Sequence, residues 1–188
     1  MARGASFVPE TVQGAPVYAH VARLGNYYKM KHFTTASHFV TITPMIRDYL
    51  VKNGIAPDHV RVIRNFAETE ECDSPVRRED HATPLAAPLL LALGRLHDDK
   101  AYDILLKALV NVPEAYLWIA GEGPDRAMLE KLAVDLGVIE RTRFLGWRND
   151  RAALLQACDI CIFASRDEPF GTVFVQAWAQ ERPVIVSD

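Results

Sequence analysis

From residue 88 onward, short apolar runs alternate with longer segments whose apolar residues recur at helical spacing. This alternation restricts the fold more than any other feature of the sequence, because strand, helix, strand in succession builds parallel sheets from βαβ units. The runs 89–93, 115–120, 142–145, 160–164 and 184–187 read as strands, and most are almost continuously apolar, as burial on both faces requires. Helices are expected near 100–110, 124–136, 150–157 and 172–180, the second carrying one apolar stripe of Met128, Leu129, Leu132 and Leu136. The fold class that follows is α/β, with a doubly wound parallel sheet.

The first 66 residues repeat this style less completely, with strands expected near 17–22, 39–43 and 61–63 and helices between them. Thr43 followed by Pro44 is a cap plus a first-turn proline, and Gly54 is placed to stop the helix that carries Ile46, Tyr49 and Leu50. The stretch 67–87 then turns polar, charged and proline-dotted, and reads as a linker. The expected domains are therefore 1–66, incomplete, and 88–188, also incomplete, because its last strand ends where a further loop and covering helices should follow. The chain is expected to be a piece of a longer protein.

Composition narrows the function classes. With 49% hydrophobic and 24% charged residues the chain can bury a core, and 21 Lys plus Arg against 24 Asp plus Glu leave a net charge of −3, which gives no pull toward nucleic acid. No stretch approaches the roughly 20 apolar residues of a membrane span, and residues 1–10 lack the layout of a signal peptide, so a cytoplasmic location is expected. Three cysteines, Cys72, Cys158 and Cys161, suit a reduced compartment rather than a disulfide framework. Cys158 and Cys161 are spaced as a redox pair, but Cys161 falls inside an apolar strand and both read as buried thiols. The histidines form no zinc-ligand spacing, and His97 alone stands near a candidate site.

That site is sought at the carboxyl ends of the strands, where open α/β sheets hold ligands. After the first strand of the second sheet come Gly94, Arg95 and Leu96, with Lys100 at the head of the next helix; two cations beside a helix N-terminus suit a diphosphate, or are solvated surface charges. After the second strand, Gly121-Glu122-Gly123-Pro124 imitates a dinucleotide fingerprint, but Arg126 occupies the third glycine position, which favours a structural turn. After the fourth, Glu168-Pro169-Phe170-Gly171-Thr172 runs into a helix: Gly171 allows close approach of backbone, Thr172 is a candidate cap, and Gln176 lies one turn in. Acidic residues merely favouring a helix N-terminus are the plain alternative.

Taken in order and spacing, Gly94-Arg95-Leu96 with Lys100, Gly121-Glu122-Gly123-Pro124, Phe144-Leu145-Gly146-Trp147, Glu168-Pro169-Phe170-Gly171-Thr172 and Arg182-Pro183-Val184 resemble the donor-side half of family 4 glycosyltransferases. Tyr27-Tyr28-Lys29-Met30-Lys31, Thr43-Pro44 and Arg64-Asn65-Phe66 are similar to the end of the acceptor-side domain of bacterial members. The resemblance implies a GT-B fold, two Rossmann-like domains facing across a cleft. It implies transfer, with retention, of a sugar from a nucleotide diphosphate sugar to a saccharide or lipid-linked acceptor, in envelope or exopolysaccharide synthesis. No cofactor or obligatory metal, and no nucleic-acid partner, is expected. Peripheral membrane association through segments outside this chain, at the inner face, is the further expectation.

Carried over residue by residue, Arg95 and Lys100 hold the diphosphate beside Gly94 and the amides of Gly171, Thr172 and Val173. Glu168 is the catalytic carboxylate on the donor-sugar hydroxyls, with Phe170 and Gln176 at the sugar and ribose. The family carries a second glutamate where Gln176 stands, a glycine where Ala101 follows Lys100, and a helix-ending glycine at Glu181. A histidine also often follows the front-domain Arg-Leu pair, where Arg23-Leu24 is followed by Gly25. Two rival readings remain open: a non-catalytic nucleotide or dinucleotide-binding module centred on Gly121-Glu122-Gly123, and a GT-B-fold sugar-nucleotide epimerase.

Overall fold

The computed structural model describes residues 11–12, 15–16, 19–67, 69, 72 and 74–187, which fall into two compact units, 1–66 and 67–188. In the first unit, β1 (Thr11–Val12) and β2 (Ala15–Pro16) pair antiparallel. The strands β3 (Val21–Leu24), β4 (His38–Thr41) and β5 (Val60–Val62) form a parallel sheet in that order, with α1 (Pro44–Lys52) between β4 and β5. The first of these was expected from residue 17, but residues 17 and 18 lie outside the described residues, as does the whole of 1–10. Strand alternation turns Ala22, Leu24, Phe39, Thr41 and Val60 inward, where Ile46 and Leu50 of α1 are also buried. Thr43 Oγ1 accepts the Ile46 N–H at 3.2 Å, Pro44 takes the first helical position, and Gly54, at φ +93°, ends the helix. Between β3 and β4 a helix was expected; only a 3₁₀ turn, Met30–His32, forms there.

The second unit is a five-stranded, wholly parallel sheet. Its strands are β6 (Leu89–Leu93), β7 (Tyr116–Ala120), β8 (Thr142–Gly146), β9 (Ile160–Phe163) and β10 (Val184–Val186), in the spatial order β10-β9-β6-β7-β8. The connecting helices are α2 (Tyr102–Leu109), α3 (Arg126–Asp135), α4 (Arg151–Ala157) and α5 (Thr172–Ala179). Alternation along the strands splits the core in two. Ala92, Leu117, Ile119 and Ile162 pack under α2 and α3 with Leu105, Leu106, Leu109 and Leu129. Leu89, Leu91, Leu93, Trp118 and Cys161 pack on the other face with Leu154, Leu155 and Ala177 of α4 and α5. Each such side chain removed from water contributes about 1.5–3 kcal/mol, so both faces of the sheet hold the unit together.

The stretch expected as a linker meets the second unit closely from residue 76 onward. The Val76 N–H donates to the Ala153 carbonyl at 3.1 Å, Arg78 Nε to the Ala157 carbonyl at 2.8 Å, and Arg78 Nη2 to Asp159 at 2.9 Å. Trp118 is fully buried and its indole N–H needs an acceptor; Thr83 Oγ1 supplies one at 2.9 Å. No helix among the described residues is long and apolar enough to cross a membrane.

The chain runs from β6 outward to β7 and β8, then returns past β6 to β9 and β10. The loops that leave the carboxyl ends of β6 and β9 therefore part in opposite directions, opening the crevice characteristic of a doubly wound sheet.

Candidate functional site

Two loops flank this crevice, 94–101 after β6 and 164–171 after β9. Lys100 does not open α2. It ends a 3₁₀ turn, Asp98–Lys100, and Ala101 adopts the left-handed conformation (φ 52°) before the helix begins at Tyr102. The turn aims Lys100 at the opposite loop, where Nζ meets Glu168 Oε2 at 2.5 Å and Ser165 Oγ at 3.5 Å, 5.6 Å from the centre of the Phe163 ring. Glu168 Oε1 accepts the Gly171 N–H at 3.2 Å.

Gly171, rather than Thr172, is the N-cap of α5. Its φ of +70° and the 2.6 Å that would separate a Cβ from Phe163 exclude a larger residue. Thr172 is the first helical residue, and no side chain caps the helix, so its first-turn N–H groups are left without a side-chain acceptor. The Gly171 amide itself is taken by Glu168, which leaves Thr172 and Val173 as the backbone donors for a ligand. Phe170 packs against Phe174, with ring centres 5.9 Å apart, in an aromatic row that continues to Trp178.

A pocket of about 260 Å³ collects residues from four strand ends, Ala120 and Gly121 coming from the end of β7. Gly94 and Arg95 come from the β6 loop, and Thr172, Val173 and Gln176 from the start of α5. Gln176 is 7% exposed, and its amide makes no hydrogen bond among the described residues. The segment after β8 adds Trp147, Arg148 and Arg151, which sequence reasoning did not single out as an anion site. Lys100, Glu168 and Phe170 do not line this pocket.

The electrostatics follow from the partners. Arg148 grips Asp150 with two hydrogen bonds, 2.8 and 2.5 Å, which hold the Asp150 carboxyl below its usual value although partial burial works against them. Arg95 and Arg151 have no ion-pair or hydrogen-bond partner among the described residues. Two uncompensated guanidinium groups beside an uncapped helix start are chemically suited to an anion, and flat forks of this kind can pair with phosphate oxygens.

The glycine loop after β7 has another task. The Gly121 N–H donates to the Gly146 carbonyl at 2.8 Å, and a Cβ on Gly121 or Gly123 would lie 1.8 Å from the Gly94 oxygen or 2.1 Å from the Leu96 oxygen. Its glycines serve close packing of one loop on the next, as a structural turn requires. Cys158 and Cys161 are buried, and burial pushes both thiols up to about 12, far from the thiolate a redox pair needs. His97 Nδ1 accepts the Asp99 N–H at 3.4 Å and so caps the turn that carries Lys100. No set of three or more metal-ligating side chains gathers among the described residues.

The chain is 37% identical over 166 residues to the lipopolysaccharide core biosynthesis glycosyltransferase LpsE of Rhizobium meliloti, covering 88% of this chain and 48% of that protein. It is 34% identical over 168 residues to LpsD of the same organism, covering 89% of this chain and 48% of that one. The chain thus spans about half the length of the curated relatives it matches. Among solved structures, Anabaena Alr3699/HepE in complex with UDP and glucose superposes with a TM-score of 0.76 at 23% identity, over 89% of this chain and 52% of that one. WaaG, a glycosyltransferase involved in lipopolysaccharide biosynthesis, gives 0.72 at 20% identity, over 81% of this chain and 45% of that one. These two likenesses establish the GT-B type of α/β fold. The family model described as glycosyl transferases group 1 matches residues 73–188, the stretch that builds the five-stranded sheet and the arginine-lined pocket, and the chain belongs to that family.

Proposed function

We propose that the pocket at the β6/β9 crevice binds the diphosphate of a nucleotide sugar, and that the protein transfers that sugar to a saccharide or lipid-linked acceptor in lipopolysaccharide or related envelope synthesis. The observation that carries this reading is the pair Arg95 and Arg151, without partners among the described residues, lining one pocket with the uncapped start of α5. The lipopolysaccharide core relatives support the acceptor class, and the neighbour solved with UDP and glucose supports the donor class.

In this mechanism Arg95, Arg151 and the Thr172 and Val173 amides hold the diphosphate. As the bond between the sugar's anomeric carbon and the diphosphate oxygen breaks, the electron pair stays on that oxygen, and Arg95 with Lys100 offsets the charge that develops. Glu168 accepts hydrogen bonds from donor-sugar hydroxyls, with Phe170 on the same loop. Gln176 faces the ribose, where an amide both donates and accepts. An oxocarbenium-like transition state and retention of configuration belong to this reading, as does work at the cytoplasmic face of a membrane through peripheral association.

The experiment is thermal unfolding with UDP, GDP, ADP, their sugar conjugates and NAD, repeated on Arg95→Ala plus Lys100→Ala. A ligand at 100 times its Kd that binds only the folded state adds about 2.7 kcal/mol of stability. A shift with one nucleoside diphosphate that disappears in the double variant is expected. A shift with NAD alone, surviving in that variant, overturns the reading in favour of a dinucleotide module.

A further inference from the structure

Arg166 stands between the two loops of the site, and its contacts tie its own loop to the turn 98–100 and to the first turn of α2. Its guanidinium donates to the Asp98 carbonyl, lies 3.1 Å from the Asp98 carboxylate and bonds Asp103 Oδ1 at 2.7 Å, while its backbone N–H donates to the Asp99 carbonyl at 2.8 Å. Asp98 and Asp99 belong to the turn that ends at Lys100, and Asp103 to the first turn of α2, so Lys100 and the left-handed Ala101 are enclosed between anchored residues. On its own loop, Arg166 follows Ser165 and precedes Glu168 by two positions, and these are the two groups Lys100 Nζ meets. We propose that Arg166 is a positioning residue of the donor site: its guanidinium ties the turn carrying Lys100 to the loop carrying Glu168 and so sets where the Lys100 ammonium stands.

The alternative is surface stitching that serves stability alone. Arg166 and Asp98 are exposed, and exposed ion pairs contribute little to global stability. Their cooperation is aimed at one turn. Truncating Arg166 therefore leaves the core intact and frees the geometry of Lys100, a signature that stability alone does not produce. A lysine at this position keeps the charge but loses the planar fork that serves several acceptors at once.

This inference rests on the donor reading above, and its test separates the two. UDP, GDP and ADP are titrated calorimetrically into the chain and into Arg95→Ala, Lys100→Ala, Arg166→Ala, Arg166→Lys and the Lys100→Ala plus Arg166→Ala double variant, with amide hydrogen exchange on each. Arg166→Ala is expected to weaken the bound diphosphate about tenfold, and Arg166→Lys by less. In the Lys100→Ala background it is expected to cost less than about twofold, because the group it positions is gone. The Lys100 and Ala101 amides, which close the turn through the His97 and Asp98 carbonyls at 2.9 and 3.0 Å, lose protection in Arg166→Ala while the β6 amides keep theirs. Failure of all three diphosphates to bind the unsubstituted chain, or full affinity in Arg95→Ala, overturns the donor reading and this inference with it. Normal binding with Arg166→Ala unaffected, losses at Arg166 and Lys100 that multiply, or unchanged exchange at Lys100 and Ala101 overturn this inference alone.

Discussion

Lys100 and Glu168 lie 68 positions apart in the chain and meet at 2.5 Å across the mouth of the crevice. The resemblance gives them separate tasks, one on phosphate and one on sugar hydroxyls, yet each compensates the other's charge. A donor that engages both must replace this contact with its own oxygen atoms and hydroxyls.

Replacing Glu168 by glutamine tests that exchange. The amide oxygen still accepts the Gly171 N–H, but the negative charge beside Lys100 is gone. Binding of the nucleoside diphosphate alone is expected to tighten roughly threefold, since the pair is partly exposed and screened. The sugar-bearing donor gains less, because its hydroxyls lose a carboxylate acceptor. Equal gains for both ligands by calorimetry would exclude a sugar contact.

Arg151 has no internal partner among the described residues, so its removal should be silent in the unliganded protein. Arg151→Ala is expected to leave the unfolding midpoint unchanged and to weaken diphosphate binding about tenfold, more at low than at high salt. Retained affinity at low salt would place the diphosphate elsewhere.

At the end of α5 the Arg182 N–H bonds the Ala177 carbonyl and the Glu181 N–H the Trp178 carbonyl, both at 2.9 Å, which is a Schellman ending with Glu181 in the left-handed slot (φ 56°). Strain at such a residue, about 1–2 kcal/mol, exceeds the entropy glycine adds to the unfolded chain. Glu181→Gly is therefore expected to stabilise the protein by about 0.5–1 kcal/mol, a rise of roughly 2–5 °C in Tm. A lower Tm in a calorimetric scan refutes this.

Gly121→Ala runs the other way. With φ at +155° and a Cβ 1.8 Å from the Gly94 oxygen, the β6 and β7 loops must separate, at a cost of about 3 kcal/mol. Denaturant midpoints measure this loss, and a change below about 1 kcal/mol would mean the loops yield freely.

Asp159 accepts the Leu89 N–H at 2.7 Å and Arg78 Nη2 at 2.9 Å. Partial burial raises its carboxyl, but these two partners outweigh burial and hold it below its ordinary value of 3.8. A carboxyl depressed in the folded state contributes fully above its unfolded pKa, and that contribution is lost as pH falls through the folded value. Asp159→Asn is expected to cost about 1 kcal/mol at neutral pH, after discounting for an exposed side chain, and the difference should narrow progressively as pH falls below the ordinary value of 3.8. Denaturant unfolding at pH 7 and in steps below pH 4 measures both; a gap that does not narrow in acid would mean that packing, rather than charge, is what Asp159 supplies.

Much of the second unit was legible in the residues because its signals are local. The apolar runs of β6 to β10 and the helical spacing of α2 to α5 differ from their expected bounds by only a few residues. The Thr43-Pro44 cap and the Gly54 stop depend on neighbours within one turn, and both formed as read. The glycine positions occupied by Ala101 and Glu181 likewise turned out to be left-handed ones. Misplacements occur where local preference is weak: between β3 and β4, at the start of α2, and at the cap of α5, where Gly171 displaced Thr172.

By itself the sequence determined which segments are strands and helices, and which chemical groups stand at the strand ends, since periodicity and capping act over a few residues. Only the tertiary structure decided that β9 lies beside β6, because that choice depends on how helices cover two faces of one sheet. From that order come the meeting of Lys100 with Glu168, the bridge of Arg166 to Asp98 and Asp103, and the arrival of Arg148 and Arg151 beside Arg95. These groups have no periodic signature, and distances between residues far apart in the chain are set by packing.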